Sequence, residues 1–240
     1  MKECVLSFDK VGIAFKRKRS LFSTKEYVLK DISFDLLKGE TLGVIGRNGA
    51  GKSTLLKLLA DLIKPNSGTI TRPPGIKSQL LSLNLGFNKN LSGRDNAIMA
   101  LVTQGMSIRE SKNLISKIGE YGSIPHLMDQ PVGTYSAGER ARLGFSIAIH
   151  SLPEILLLDE ILGVGDKEFR KKSSEELKQK VNSDQTVVLV SHSTATLKNL
   201  CDRVMWIESG RVKMLGDAQY VVDAYMDTPT RAAPKAELSV

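Results

Sequence analysis

One stretch constrains this chain more than any other: Gly46-Arg47-Asn48-Gly49-Ala50-Gly51-Lys52-Ser53. It matches the pattern G-x-x-x-x-G-K-[ST]. It sits where such a pattern has physical meaning. Thr41–Ile45 before it is a short run of buried-strand type. Ser53–Ile63 after it carries Leu55, Leu56, Leu59, Ala60, Leu62 and Ile63 at helical spacing, with Pro65 and Gly68 as stops. Glycines let the backbone curl so that its N–H groups face an anion. The helix that follows aims its positive N-terminus at the same point. The stretch therefore predicts a nucleotide-phosphate loop. Lys52 is expected to reach the outer phosphates and the Ser53 hydroxyl to bind Mg²⁺. Gly46, Arg47, Asn48, Gly49, Ala50, Gly51, Lys52, Ser53 and Thr54 are the candidate nucleotide-binding residues.

Around this loop strands and helices alternate, which implies an α/β chain with a mainly parallel sheet. Val5–Val11, Val28–Phe34, Gly68–Thr71, Ile155–Leu158 and Thr186–Val190 read as strands. Arg203–Ile207 and Arg211–Met214 flank Glu208-Ser209-Gly210 as a hairpin. Arg94–Gln104, Ser107–Tyr121 and Ala137–His150 read as a helical insertion, followed by helices at Lys167–Val181 and Asp217–Met226. Residues 1–226 are expected to form one nucleotide-binding domain, with the helical part inserted over 91–150. Residues 227–240, with Pro229 and Pro234, read as a flexible tail.

Two further motifs bear on chemistry. Ile155–Leu158 runs into Asp159 and Glu160. A carboxylate at a strand's carboxyl end can hold the water shell of Mg²⁺, which is the expectation for Asp159. Glu160 is the candidate general base for the attacking water. Between the loop and this strand, Tyr135-Ser136-Ala137-Gly138-Glu139 opens a helix, with Ser136 as its N-cap. Taken alone, the second motif reads better as a plain capped helix.

Together these motifs resemble an ATP-binding cassette ATPase. Ser136, Ala137, Gly138 and Glu139 correspond to that family's LSGGQ signature and so to a second set of ATP contacts. Gly163-Val164-Gly165-Asp166 falls at its D-loop and His192 at its switch histidine. The resemblance places Phe15 where an aromatic ring stacks on adenine, although a core aromatic fits the residue nearly as well. It implies a P-loop NTPase core of RecA type with an antiparallel β subdomain and an inserted helical subdomain. It also implies an ATPase that works as a head-to-tail pair, each copy's signature covering ATP on the other.

A narrower resemblance is to cassettes that export O-antigen, capsule or teichoic acid. It rests on Leu85-Gly86-Phe87 through Asp95-Asn96, on Tyr135-Ser136-Ala137-Gly138, on Asp159–Lys172 and on Cys201–Trp206. It implies an integral membrane partner subunit, a lipid-linked polysaccharide cargo, and a place at the cytoplasmic face of the membrane. There are departures. The glutamine usual before the helical insertion is not at its place; Asn84 stands there as a metal-site candidate, or the contact is lost, and Gln79 falls too early. Glu139 replaces Gln or Met, and its carboxylate is unfavourable near phosphate unless it turns away. The carbohydrate-binding domain of some relatives is not expected in a chain ending at Val240.

Net charge is +8, and residues 1–30 hold eight Lys or Arg against three acids. The run Lys16-Arg17-Lys18-Arg19 is either a solvated loop or a surface for anionic lipid or cargo phosphate. A nucleic-acid ATPase would also suit the charge, but no long coiled coil and no cysteine cluster accompanies it. Another lipid or small-molecule cargo is the remaining alternative. Cys4 and Cys201 are too few for a disulfide scaffold. No apolar run approaches a membrane span, and Met1–Cys4 lacks a signal-peptide start.

Overall fold

Thr41–Ile45 (β3) is buried along its whole length, so it must be covered on both faces. A computed structural model describes residues 3–17, 24–81, 86–151, 153–159, 166–181 and 183–228, and shows how that cover is built. β3 is central in a six-stranded sheet. The other strands are Ile155–Asp159 (β6), Thr186–Val190 (β7), Arg203–Glu208 (β8), Arg211–Asp217 (β9) and Ser78–Leu81 (β5), of which β7 and β8 flank β3. The order is β5-β6-β7-β3-β8-β9, parallel except for β9. Alternation along the strands sorts side chains between two cores. Leu42, Val44, Ile155, Leu157, Val188, Val190, Met205 and Ile207 point to one. Leu156, Leu158, Val187, Leu189, Val204 and Trp206 point to the other.

The first core is closed by the helix Lys52–Leu59 (α1) and by a three-stranded antiparallel sheet. That sheet contains Cys4–Arg17 (β1), Thr24–Leu37 (β2) and Ser67–Thr71 (β4), in the order β2-β1-β4. β1 and β2 are longer than the sequence reading. Their register is broken by several bulges, which disrupt the alternation a strand shows in sequence. Lys16 and Arg17 pair by backbone with Lys25 and Thr24, so these two basic residues belong to strand rather than to an extended connection. Lys18 and Arg19 lie outside the described residues.

The helical part consists of Gly93–Thr103 (α2), Ile108–Tyr121 (α3) and Ala137–His150 (α4). It has its own core, built on Ala97, Leu101, Ile115, Ile118, Leu143 and Ile147. Asn96 explains the motif around it: its amide nitrogen donates to the carbonyls of Asn88, Leu91 and Ser92, and its oxygen accepts from Asn88 N–H. Lys167–Val181 (α5), Thr194–Leu200 (α6) and Ala218–Met226 (α7) complete the order. Among the described residues no helix is long and apolar enough to cross a membrane.

α1 ends at Leu59, short of the expected Ile63. Asp61 adopts φ 58°. Its N–H donates to Leu58 O at 3.1 Å, and Leu62 N–H donates to Lys57 O at 2.9 Å. This pair of bonds is a Schellman stop with Asp in the place usually held by glycine.

Candidate nucleotide site

The loop from Gly46 to Gly51 turns β3 into α1. A Cβ on Gly46 would lie 2.3 Å from Ile207 O, so only glycine fits against β8. Gly51 has φ 106°, a conformation side chains rarely adopt. It opens α1 with no side-chain cap and no acid in the first turn. The N-terminal N–H groups of this helix are therefore left to an external anion. Lys52 is buried, and its Nζ donates to Gly46 O at 2.8 Å and Arg47 O at 3.2 Å. The ammonium is thus held by carbonyls that a phosphate can replace.

A cleft of about 440 Å³ opens over this loop, lined by Asn48, Gly49, Gly51, Lys52, Ser53, Thr54, Asp159 and His192. Asp159 ends β6 and is half-buried; His192 follows β7 and is exposed. Parallel pairing brings them together at the strands' carboxyl ends, since Asp159 is level with Val190. The Ser53 hydroxyl and the Asp159 carboxylate offer the hard oxygen donors that Mg²⁺ prefers. Beside a lysine and an uncapped helix start, this donor set fits a nucleotide triphosphate with its metal. Val28 and Val190 also line the cleft. The sequence reading missed both. Val190 was findable, two residues before His192, whereas Val28 gets there through a break in the β1–β2 register.

Other candidates lie apart. Gly46, Arg47 and Ala50 do not line this cleft; Arg47 and Ala50 line a neighbouring one with Trp206 and Lys213. Phe15 is 50% exposed, which overturns its reading as a core aromatic and leaves the ring free to stack. Gln79 lines a different cleft, of about 660 Å³, with Ser151 and Glu154 at the opposite ends of β5 and β6. Glu160 and Asn84 lie outside the described residues, as do Gly163, Val164 and Gly165.

Ser136 and Ala137 are exposed, Gly138 and Glu139 half-buried, and none of the four lines the cleft. Ser136 caps α4 as expected. Its N–H donates to Glu139 Oε2 at 2.7 Å, and Glu139 N–H donates to Ser136 Oγ at 3.2 Å. This capping box turns the Glu139 carboxylate back onto its own helix start. The backbone and hydroxyl of Ser136 hold that carboxyl below its ordinary range.

Residues 29–163 match the family described as ABC transporter. The chain is 41% identical over 201 residues to the teichoic acids export ATP-binding protein TagH of Shouchella clausii, covering 84% of this chain and 55% of that one. It is 37% identical over 211 residues to the O-antigen export system ATP-binding protein RfbB of Klebsiella pneumoniae, covering 88% and 85%. It is 40% identical over 197 residues to the ABC transporter protein AbcA of Aeromonas salmonicida, covering 82% and 64%. In fold it is similar to a dimeric ATP-binding cassette in a post-hydrolysis state bound to ADP and Pi, with a TM-score of 0.72, 20% identity, and 89% and 99% of the two chains covered. These matches and the site's geometry agree: the chain belongs to the ABC transporter family, as an ATP-binding cassette that hydrolyses ATP.

Proposed function

We propose that this chain powers export of a lipid-linked polysaccharide across a membrane, as the ATPase beside an integral membrane subunit. The observation that carries the reading is a split site. The loop, Asp159 and His192 share one cleft, while Ser136 to Glu139 stand outside it. Each half lacks what the other holds, so two copies placed head to tail complete two sites. The 37–41% identity to exporters of teichoic acid and O-antigen supports the cargo class.

The residues divide the work. Lys52 exchanges its two carbonyls for the outer phosphates of ATP. Gly49, Gly51 and the first turn of α1 receive the remaining phosphate oxygens. Ser53 and Asp159 would hold Mg²⁺, which would neutralise charge developing on the phosphates; Asn84 is assigned beside them from its sequence position. Glu160, next to Asp159, accepts a proton from the attacking water. His192 bonds the terminal phosphate from the end of β7. Phe15 offers its exposed ring to the adenine.

From the second copy comes the start of α4. Ser136 Oγ accepts from Glu139 N–H, and the remaining N–H groups at the start of α4 are offered to the γ-phosphate bound by the first copy. Glu139 does not oppose the phosphate because its carboxylate is engaged by Ser136 N–H. ATP bound between copies favours the closed pair, and its loss favours the open one.

Replacing the chain in cells by a Lys52→Ala variant tests the cargo. Lipid-linked glycan should accumulate on the cytoplasmic side of the membrane. Normal export of surface glycan, with a lipid or small molecule accumulating instead, would overturn it.

A further inference from the structure

We propose that Tyr135 is a positioning residue for ATP hydrolysis: its hydroxyl, seated in the space that Gly93 leaves, sets the pose in which α4 presents Ser136. Tyr135 directly precedes that N-cap and is held through all three of its polar groups. Its N–H donates to Val132 O at 3.1 Å. Its carbonyl accepts from Arg140 Nη1, and its hydroxyl donates back to Leu127 O in the single turn Pro125–Leu127. The ring is buried in the core of the helical part. Burial, with Glu139 and Asp129 nearby, raises the phenol above its ordinary pKa, so the hydroxyl keeps its proton and donates. The anchoring segment is itself tied down. Arg94 N–H donates to Met128 O at 2.8 Å, Gly93 N–H to Gln130 O at 3.2 Å, Val132 N–H to Leu91 O at 2.9 Å and Gly133 N–H to Lys89 O at 2.8 Å. Residues 89–94, which lead into α2, and 128–133, which lead to α4, are therefore knit into one unit. A Cβ on Gly93 would collide with the Tyr135 hydroxyl and lie 3.3 Å from its Cζ. Gly93 and Tyr135 belong to the two motifs Leu85–Asn96 and Tyr135–Gly138, and they meet here.

Packing is a poor account of this pair. Phenylalanine would fill the same place with no buried hydroxyl to satisfy, and residue 93 would then be free to carry a side chain. Glycine loses more conformational freedom on folding than any other residue, so the hydroxyl is accommodated at a cost in stability. What the hydroxyl adds is direction. An apolar contact has no preferred angle, whereas a hydrogen bond to a fixed carbonyl does. α4 begins one residue later, and a group that meets the reacting phosphate has to be held within about 0.5 Å of its place. The inference rests on the proposed reading that the start of α4 completes the ATP site of a second copy.

The test uses the full purified chain and the variants Tyr135→Phe, Gly93→Ala and the double Tyr135→Phe/Gly93→Ala, assayed well below every thermal midpoint. Tyr135→Phe removes only the hydroxyl. Its midpoint should stay within about 4 °C of wild type. Its affinity for a fluorescent ATP analogue should change by no more than about twofold, since the phosphate loop is untouched, while kcat falls by about tenfold. Gly93→Ala should lower kcat as much and the midpoint more, because its methyl drives the hydroxyl from Leu127 O. In the double variant the methyl takes the place of the lost hydroxyl. Its midpoint should return to that of Tyr135→Phe or above, and its kcat should stay low; a purely structural pair would recover both together. A kcat for Tyr135→Phe within about twofold of wild type, or a kcat that recovers with the midpoint in the double variant, would overturn the proposal. So would a loss of analogue affinity in step with kcat. The underlying reading fails separately: wild-type turnover per chain that does not rise with chain concentration would show that no second copy is needed.

Discussion

Lys52 shows how much of this site is decided one residue at a time. Its ammonium is buried, a costly location for a charge, and is held by the carbonyls of Gly46 and Arg47. Those bonds keep the side chain in the cleft before a phosphate arrives. Lys52→Ala should weaken binding of a fluorescent ATP analogue by about 10- to 100-fold, the worth of a charge-assisted hydrogen bond; unchanged affinity would remove the loop from the site. Glu160→Gln should separate binding from chemistry. ATP should still bind, turnover should fall, and the closed pair should persist in size-exclusion chromatography with ATP. Turnover at the wild-type rate would show that another group is the base. Glu139 gives a prediction in pH. The folded chain holds its carboxyl below the usual range, through the backbone and hydroxyl of Ser136. A group whose acidity is strengthened by folding adds stability above its unfolded-state value and loses it as pH falls through the folded-state value. The thermal-midpoint advantage of wild type over Glu139→Gln should therefore be present near pH 6 and shrink below about pH 4.3. An advantage that does not vary with pH would mean the capping box does not depend on that charge.

At the scale of elements, what the sequence discloses follows from periodicity. β3, α4, α5 and β7 fall at the residues their patterns indicate, because each has a clean period or a clear cap. β5 and α6 were not read. β5 is four residues opening with Ser78 and Gln79, too short and too polar to alternate. α6 buries only Leu197 and is marked by its Ser193 cap alone. The end of α1 was misplaced because Leu62 continues the helical spacing, yet Leu62 is 64% exposed and lies beyond the left-handed Asp61. The catalytic loop and the strand-end carboxylate were legible because their chemistry demands particular residue types at fixed places. Val28 was not, since a register break brings it to the cleft. Long-range ties between elements leave no trace in sequence at all. Glu40 is the strongest case. It is buried, accepts from Leu37 N–H at 2.7 Å, and receives Arg203 Nη1 at 3.1 Å, joining the end of β2 to β8. Glu40→Ala should lower unfolding free energy by about 3–5 kcal/mol, since it strands a partly buried guanidinium. Glu40→Gln, which keeps an acceptor for Leu37, should cost less. Urea denaturation distinguishes the two, and equal losses would show that the ion pair, not the backbone bond, dominates.

For the molecule as a whole, the net charge of +8 acquires a location. Its densest run is Lys16-Arg17-Lys18-Arg19, of which Lys16 and Arg17 end β1 directly after Phe15. An ATPase of an export complex works next to anionic headgroups or to the phosphates of a lipid-linked cargo. There each nearby Lys or Arg contributes about 1 kcal/mol, and salt screens the effect. Replacing all four residues by Gln should leave ATP turnover of the isolated chain unchanged. It should weaken co-sedimentation with vesicles containing phosphatidylglycerol by on the order of a hundredfold at low salt, and reduce export in cells. The wild-type chain should itself release from those vesicles as salt is raised. Were the variant to bind vesicles and export glycan as wild type does, the run would be a solvated surface, and the positive charge would serve solubility alone. Were it to lose vesicle binding but export normally, the attraction to lipid would be real and dispensable, and docking to the membrane subunit would by itself hold the ATPase in place.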